Sequence, residues 1–114
     1  MTQNTWHTIR EGASTTVARR LPARFDVSAS AQFPRVSKGR LAHQIRQDMW
    51  RALQDVRGFS PVVQVVDDEI GVLVTAGGQV PRPISSRIEA TIAELLSDTP
   101  RRARWIKSAR KGLE

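Results

Sequence analysis

The chain contains no cysteine, which excludes a disulfide framework and a thiolate metal site and fits a reducing compartment, so we expect a cytoplasmic protein. The two histidines, His7 and His43, do not have the spacing of a zinc site. No apolar run approaches the roughly 18 residues that a membrane span needs, and the first residues do not resemble a signal peptide. We therefore expect neither a membrane protein nor a secreted one.

Motifs that would support catalysis are also missing. There is no glycine-rich phosphate loop with a Walker-type lysine. The acids Asp67-Asp68-Glu69 are consecutive, so their side chains point in different directions and do not form the spaced ligand pattern of a calcium loop. We expect no catalytic residue, no metal and no cofactor, and a protein that is not an enzyme.

Gly77-Gly78-Gln79 resembles the tripeptide with which peptide release factors promote peptidyl-tRNA hydrolysis. The resemblance covers these three residues alone, because neither the lead-in nor the Val80-Pro81-Arg82-Pro83 that follows matches the loop of that family. A Gly-Gly pair that leaves a strand instead predicts a turn with positive φ.

What the sequence does contain is typical of one small globular domain. At 114 residues, with 39% hydrophobic and 25% charged residues, the chain can bury one core. The patterns predict an α+β domain over residues 1–98, followed by a basic C-terminal helix or tail over 99–114. We expect a two-layer sandwich, in which two long helices cover one face of a mainly antiparallel sheet of three or four strands.

The element order comes from hydrophobic periodicity. Strands are predicted in an N-terminal hairpin around 5–17 and from about Leu21 to Ala29, and a hairpin is predicted over 62–74 with 67–69 as its connection. Helices are predicted from Lys38 to Arg57, capped by Ser37, then after a Ser86 cap, and again from Thr99. The predicted core comprises Phe25, Val27, Leu41, Ile45, Met49, Leu53, Val63, Val65, Val72, Val74, Ile88, Ile92 and Leu95.

The charge is unevenly distributed along the chain. Residues 99–114 hold six of the eighteen Lys and Arg against one carboxylate, a net charge of +5. Residues 59–98 hold two bases against six acids (−4), and residues 1–58 hold ten against four (+6), which sums to +7. Cations gathered at one terminus attract phosphate or another polyanion, whereas an even spread mainly aids solubility.

The C-terminal helix is therefore the first candidate for a nucleic-acid interface. Cationic side chains can neutralise backbone phosphates and a tryptophan can stack on an exposed base. The candidates are Arg101, Arg102, Arg104, Lys107, Arg110 and Lys111, with Trp105 for stacking. In the alternative, Trp105, Ile106 and Ala109 dock on the sheet and the arginines form a solvated face.

A second candidate patch surrounds Trp50, which lies about 120° from the centre of the apolar stripe of its helix. His43, Arg46 and Arg57 share that face, so a basic and aromatic surface is predicted. The alternatives are that the N-terminal segment or the C-terminal helix covers Trp50, or that Trp50 anchors a homodimer.

Two functions follow. The first is a small non-catalytic module that binds nucleic acid or another polyanion through the basic C-terminal helix. The second is a protein-interaction or self-associating domain that has an acidic partner or a second copy and no role with nucleic acid.

Overall fold

The computed structural model describes residues 6–111, which form a single antiparallel sheet covered by helices. The strands are β1 (His7–Glu11), β2 (Ser14–Ala18), β3 (Val27–Phe33), β4 (Ser60–Asp67) and β5 (Val72–Gln79). The helices are α1 (Lys38–Ala52), α2 (Ser86–Ser97) and α3 (Thr99–Arg110). The strand order is β1-β2-β4-β5-β3, so the α+β class is confirmed, while the sheet has five strands rather than three or four.

The first long helix, α1, begins where the sequence predicts and ends earlier. The Ser37 side chain accepts a hydrogen bond from the Arg40 backbone N–H, as expected of an N-cap. The helix ends after Ala52 and not at Arg57, because the chain tightens there into a turn in which Val56 N–H donates to the Leu53 carbonyl. Gly58 follows at a φ of +75°, a conformation that glycine adopts readily.

The central hairpin is longer than its apolar runs suggest. Strand β4 pairs with β5 from Ser60 opposite Gln79 to Asp67 opposite Val72. Gly77 and Gly78 therefore lie inside a strand and not in the predicted turn. A Cβ on Gly77 would lie 1.9 Å from the Val27 carbonyl oxygen, so close packing of β3 against β5 explains that glycine.

The strand predicted from Leu21 to Ala29 is displaced, since β3 begins only at Val27. The Asp26 backbone N–H donates to the Gly78 carbonyl, and the Asp26 carboxylate accepts from Val80 N–H at 3.0 Å. These two bonds fix the segment before β3 against the end of β5. Phe25 then lies beside Val62 on the sheet face that the helices leave open, which explains why it is not in the main core.

The remaining predicted core residues are buried, in one layer between the sheet and the helices. Helix α1 packs on β2 and β4, α2 packs on β3, and α3 packs on α1. Helix α2 is capped by Ser85 instead of Ser86, because it is the Ser85 hydroxyl that accepts from the Arg87 N–H. Trp105, from the C-terminal helix, is fully buried, so α3 contributes directly to the core.

Candidate nucleic-acid interface

Two cations of helix α3, Arg102 and Arg104, bind groups elsewhere in the domain. Arg102 donates to the Leu96 carbonyl at 3.0 Å and to the Gln32 carbonyl at 2.7 Å, and its guanidinium lies 3.9 Å from the centre of the Phe33 ring. Both carbonyls belong to the fold, so this side chain joins α3 to the end of α2 and to β3.

Trp105 and Arg104 are held by one carboxylate, that of Asp48 on α1. The Trp105 indole N–H donates to Asp48 Oδ2 at 2.8 Å, and Arg104 forms an ion pair with the same oxygen. Trp105 is 0% exposed and therefore does not present a ring on which a base could stack. Trp105 therefore docks on the domain, as in the alternative. It contacts the sheet through the Phe33 ring of β3, and its hydrogen-bond partner, Asp48, belongs to α1.

The other cations of α3 are placed differently. Arg101 pairs with Asp98 at 3.4 Å, across one turn at the start of the helix. Lys107, Arg110 and Lys111 are exposed and form no ion pair with a carboxylate of residues 6–111. Of the seven candidates in this helix, these three remain the most available to an external anion.

A larger basic surface lies between α1 and the β1–β2 hairpin. Its first part is a cleft of about 590 Å³ beside the start of α1. The cleft takes residues from the hairpin, from α1 and from α3, namely Arg10, Gly12, Thr15, Ser37, Lys38, Gly39, Arg40, His43, Gln44 and Ser108. Its lining from the described part of the chain includes four basic or imidazole side chains and no carboxylate.

The second part is a cleft of about 260 Å³ further along α1. It is lined by Trp6, Arg19, Arg46, Gln47, Trp50 and Arg51. We call the two clefts together the basic groove. Six Arg or Lys side chains and His43 line the basic groove, and among residues 6–111 no Asp or Glu does.

The backbone pattern explains why these side chains meet. Residues alternate between the two faces of a strand, so Trp6, which precedes β1, and Arg10 project toward the side that carries α1. On α1, residues 39, 43, 46 and 50 follow one another at intervals of three or four and so share a helix face. The groove forms where this helix face meets the edge strand β1.

Two nearby carboxylates, Asp67 and Asp48, each lie close to one cation of the groove. Asp67 accepts from Lys38 at 2.7 Å and from Arg35 at 3.0 Å, and this hydrogen bond from Lys38 lowers the pKa of the Asp67 carboxyl group. The carboxylate of Asp48 lies 3.9 Å from the Arg51 guanidinium, which is a long ion-pair distance. The same carboxylate also pairs with Arg104 and accepts the hydrogen bond from Trp105. Arg10 and Arg40 form no ion pair within residues 6–111.

The pKa of His43 reflects both its burial and the positive charge around it. Burial lowers the pKa of its imidazole below the usual 6.5, and the positive charges of Arg46 and Arg10 lower that pKa further. Near neutral pH the ring is therefore uncharged in the free protein. An anion placed among these arginines would favour the protonated ring.

Within the second cleft, Arg46 and Trp6 form a stacked pair. The guanidinium carbon of Arg46 lies 4.4 Å from the centre of the Trp6 ring, and that of Arg19 lies 5.8 Å from it. The Nε of Arg46 is buried and has no hydrogen-bond partner within residues 6–111. Burial lowers the pKa of the Arg46 guanidinium from its ordinary value. Arginine nevertheless stays charged near neutral pH.

The patch predicted around Trp50 is only partly assembled. Trp50 is 43% exposed and shares its cleft with Arg46, while His43 lines the neighbouring cleft. Arg57 lies beyond the end of α1 and lines neither cleft, because the helix is shorter than its periodicity predicts. Trp6 lines the same cleft as Trp50 and leaves that ring partly exposed, while residues 1–5 lie outside the described part of the chain.

The sequence did not identify Trp6, Arg10, Arg19, Arg40 and Arg51 as members of a common surface. For Trp6 and Arg10, the alternation along β1 indicates that the two side chains lie on the same side of the sheet. What was missing was the pairing of the hairpin with β4, which places β1 next to α1.

Other kinds of site find no support in the part of the chain that the structure describes. Residues 6–111 contain no group of three or more His, Cys, Asp or Glu side chains arranged to hold a metal ion. Over the same residues, no helix is both long enough and apolar enough to cross a membrane. Comparison of the chain with family models, with curated proteins and with solved structures found no match.

Proposed function

We propose that this protein is a non-catalytic module that binds nucleic acid or a similar polyanion, and that the basic groove is its main contact surface. The observation that carries the proposal is the composition of the groove, to which residues 6–111 contribute six Arg or Lys side chains and no carboxylate. Such a one-sided surface concentrates anions, and contact with phosphates releases their counterions.

The dimensions favour a polymer over a single small anion. The groove follows α1 from Lys38 to Arg51, a length of about 20 Å at 1.5 Å per residue. Along one strand of B-DNA this length corresponds to about six phosphates. Several cations spaced over that distance match a chain of charges better than one phosphate group.

Helix α3 supports the same surface in a secondary role. Ser108 lines the first cleft, and the Ala109 carbonyl accepts a hydrogen bond from Ser37 N–H at 3.1 Å, so the end of α3 lies against the start of α1. We expect the positive field of the groove to be extended by three exposed cations at this end of α3, namely Lys107, Arg110 and Lys111.

The second candidate is a protein-interaction or self-associating domain, which the partial exposure of Trp50 favours. It predicts a complex whose stability depends on Trp50 and changes little with nucleic acid. Light scattering over a range of protein concentrations measures that self-association directly.

The proposed function is tested by titrating salt against binding to fluorescent single-stranded RNA, single-stranded DNA and duplex DNA. The variant Arg10→Gln/Arg40→Gln removes two exposed charges from the groove. We expect weaker binding, and a plot of log K against log salt whose slope is shallower by roughly 0.7 to 0.9 for each lost phosphate contact.

The matched control is Arg82→Gln, an exposed arginine near the end of β5 that lines neither cleft. This change should leave the affinity close to that of the unmodified protein. Absence of binding at low salt, or an equal loss in both variants, would contradict the proposal.

A further inference from the structure

The second cleft of the basic groove combines two tryptophans with three arginines, and this combination points to one form of nucleic acid. We propose that the cleft between Trp6 and Trp50 receives an unstacked base, so that the groove binds single-stranded nucleic acid in preference to duplex. The inference rests on the proposed function and specifies its substrate class.

Trp50 supplies the stacking surface. It lies outside the apolar stripe of α1, and 43% of its surface is exposed, whereas Trp105 is completely buried. The aromatic face of a nucleobase stacks on indole without regard to base identity, and this contact supplies much of the affinity in proteins that bind single strands.

Arg46 supplies a positioned donor beside that surface. Its guanidinium is held against the Trp6 ring at 4.4 Å, and no carboxylate of the described residues lines the cleft to compete for it. The buried Nε of Arg46 has no hydrogen-bond partner among the same residues. A base edge or a phosphate oxygen entering the cleft would meet a cation whose orientation is already fixed by stacking.

The remaining lining residues suit the same ligand. Arg51 is exposed and lies one residue after Trp50, where it can follow the sugar–phosphate backbone. Gln47 precedes Trp50 by one helical turn and carries both a donor and an acceptor for a base edge. Stacking, charge and amide hydrogen bonding are thus gathered in one cleft of about 260 Å³.

A duplex would use this cleft poorly, because its bases are stacked on one another and their aromatic faces cannot reach an indole without unstacking. An acidic peptide would satisfy the arginines and leave the exposed indole without a stacking partner. A single strand satisfies both parts, because its bases can turn outward while its phosphates follow the cations.

The test compares three probes, which are unstructured oligonucleotides of about 12 residues, a duplex of matched length, and heparin, a polyanion without bases. Trp50→Ala removes the stacking surface at an exposed position. Its matched control is Leu73→Ala, which changes a side chain of similar exposure, 40%, on the opposite sheet face. Trp50→Phe keeps an aromatic ring.

We expect Trp50→Ala to weaken single-strand binding by roughly 5- to 150-fold while leaving heparin and duplex binding unchanged. Trp50→Phe should recover part of the loss, and Leu73→Ala should behave as the unmodified protein does. Single strands, but not heparin, should also quench the fluorescence of the unmodified protein, and Trp50→Phe should remove most of that quenching.

Equal affinity for single strand and duplex, with no effect of Trp50→Ala, would overturn this inference and leave the proposed function standing. No binding to any of the three probes would overturn both. Dissociation of a dimer by Trp50→Ala, without a change in single-strand affinity, would assign Trp50 to self-association and overturn this inference alone.

Discussion

Helix α3 and the basic groove hold similar numbers of cations and use them in different ways. In α3, Arg101, Arg102 and Arg104 bind partners within the protein, and Arg102 and Arg104 tie the helix to β3 and α1. In the groove, Arg10 and Arg40 have no such partner among residues 6–111, and Arg46 has only the Trp6 ring. The density of charge along a sequence therefore does not measure the charge that a ligand can reach.

The two regions also differ in how the sequence encodes them. The cations of α3 are neighbours along the chain, so they are conspicuous. Those of the groove come from the β1–β2 hairpin, the residue that follows it and α1, where core residues such as Leu41 and Ile45 lie among them. Only the strand order β1-β2-β4 places the two groups side by side.

The same contrast applies to the two helical tryptophans, because Trp105 is buried and Trp50 is partly exposed. Substitution of each one tests whether this difference in burial determines its contribution to stability. Trp105→Ala should lower the free energy of unfolding by about 3–5 kcal/mol, because it leaves a cavity at a fully buried position and removes the hydrogen bond that the indole donates to Asp48. Trp50→Ala should change it by only about 0.5 kcal/mol, as expected of a surface position. Urea unfolding followed by circular dichroism measures both.

If α3 were a detachable tail, Trp105→Ala would be as mild as Trp50→Ala. Truncation at Asp98 would then leave the unfolding transition unchanged. We expect that truncation to destabilise the domain severely instead, so it does not isolate the charge of α3 from its packing.

A smaller effect concerns His43 and the potential of the groove. Since the pKa of its imidazole is lowered on folding, the unfolded chain binds more protons below pH 6.5, and acidification should reduce stability there. The groups that face His43 are cationic: Arg10 of β1 and Arg46 of α1. A bound polyanion should raise the His43 pKa, so affinity should increase as pH falls.

Proton NMR titration of the imidazole, with and without heparin, measures this change, and His43→Gln assigns the signal. The increase in affinity between pH 8 and pH 5.5 should be smaller in His43→Gln than in the unmodified protein. A His43 pKa that heparin leaves unchanged would place the polyanion away from the first cleft.

Much of the fold could be predicted from the sequence because periodicity reports local structure. The Ser37 cap, the apolar stripe of α1 and the valine runs of β4 and β5 each mark an element that is present. The errors lie where tertiary contacts decide. Gly77 and Gly78 look like a turn until a strand packs on either side of them.

The site was harder to predict than the fold for the same reason. Trp50 was identified because its position on one helix conflicts with the apolar stripe, which is a local observation. The burial of Trp105 depends on Asp48, 57 residues earlier in the chain, and no local pattern indicates that hydrogen bond. The proximity of Trp6 to Arg46 likewise follows from the sheet and not from either segment alone.

The most direct test of the account compares neutralisation of the two regions in one assay. Arg10→Gln/Arg40→Gln removes two charges from the groove, and Lys107→Gln/Arg110→Gln/Lys111→Gln removes three from α3. We predict that the groove variant loses more affinity for a single-stranded oligonucleotide at physiological salt, despite its smaller change in net charge. A greater loss in the α3 variant would contradict the account and return the binding surface to the C-terminal helix.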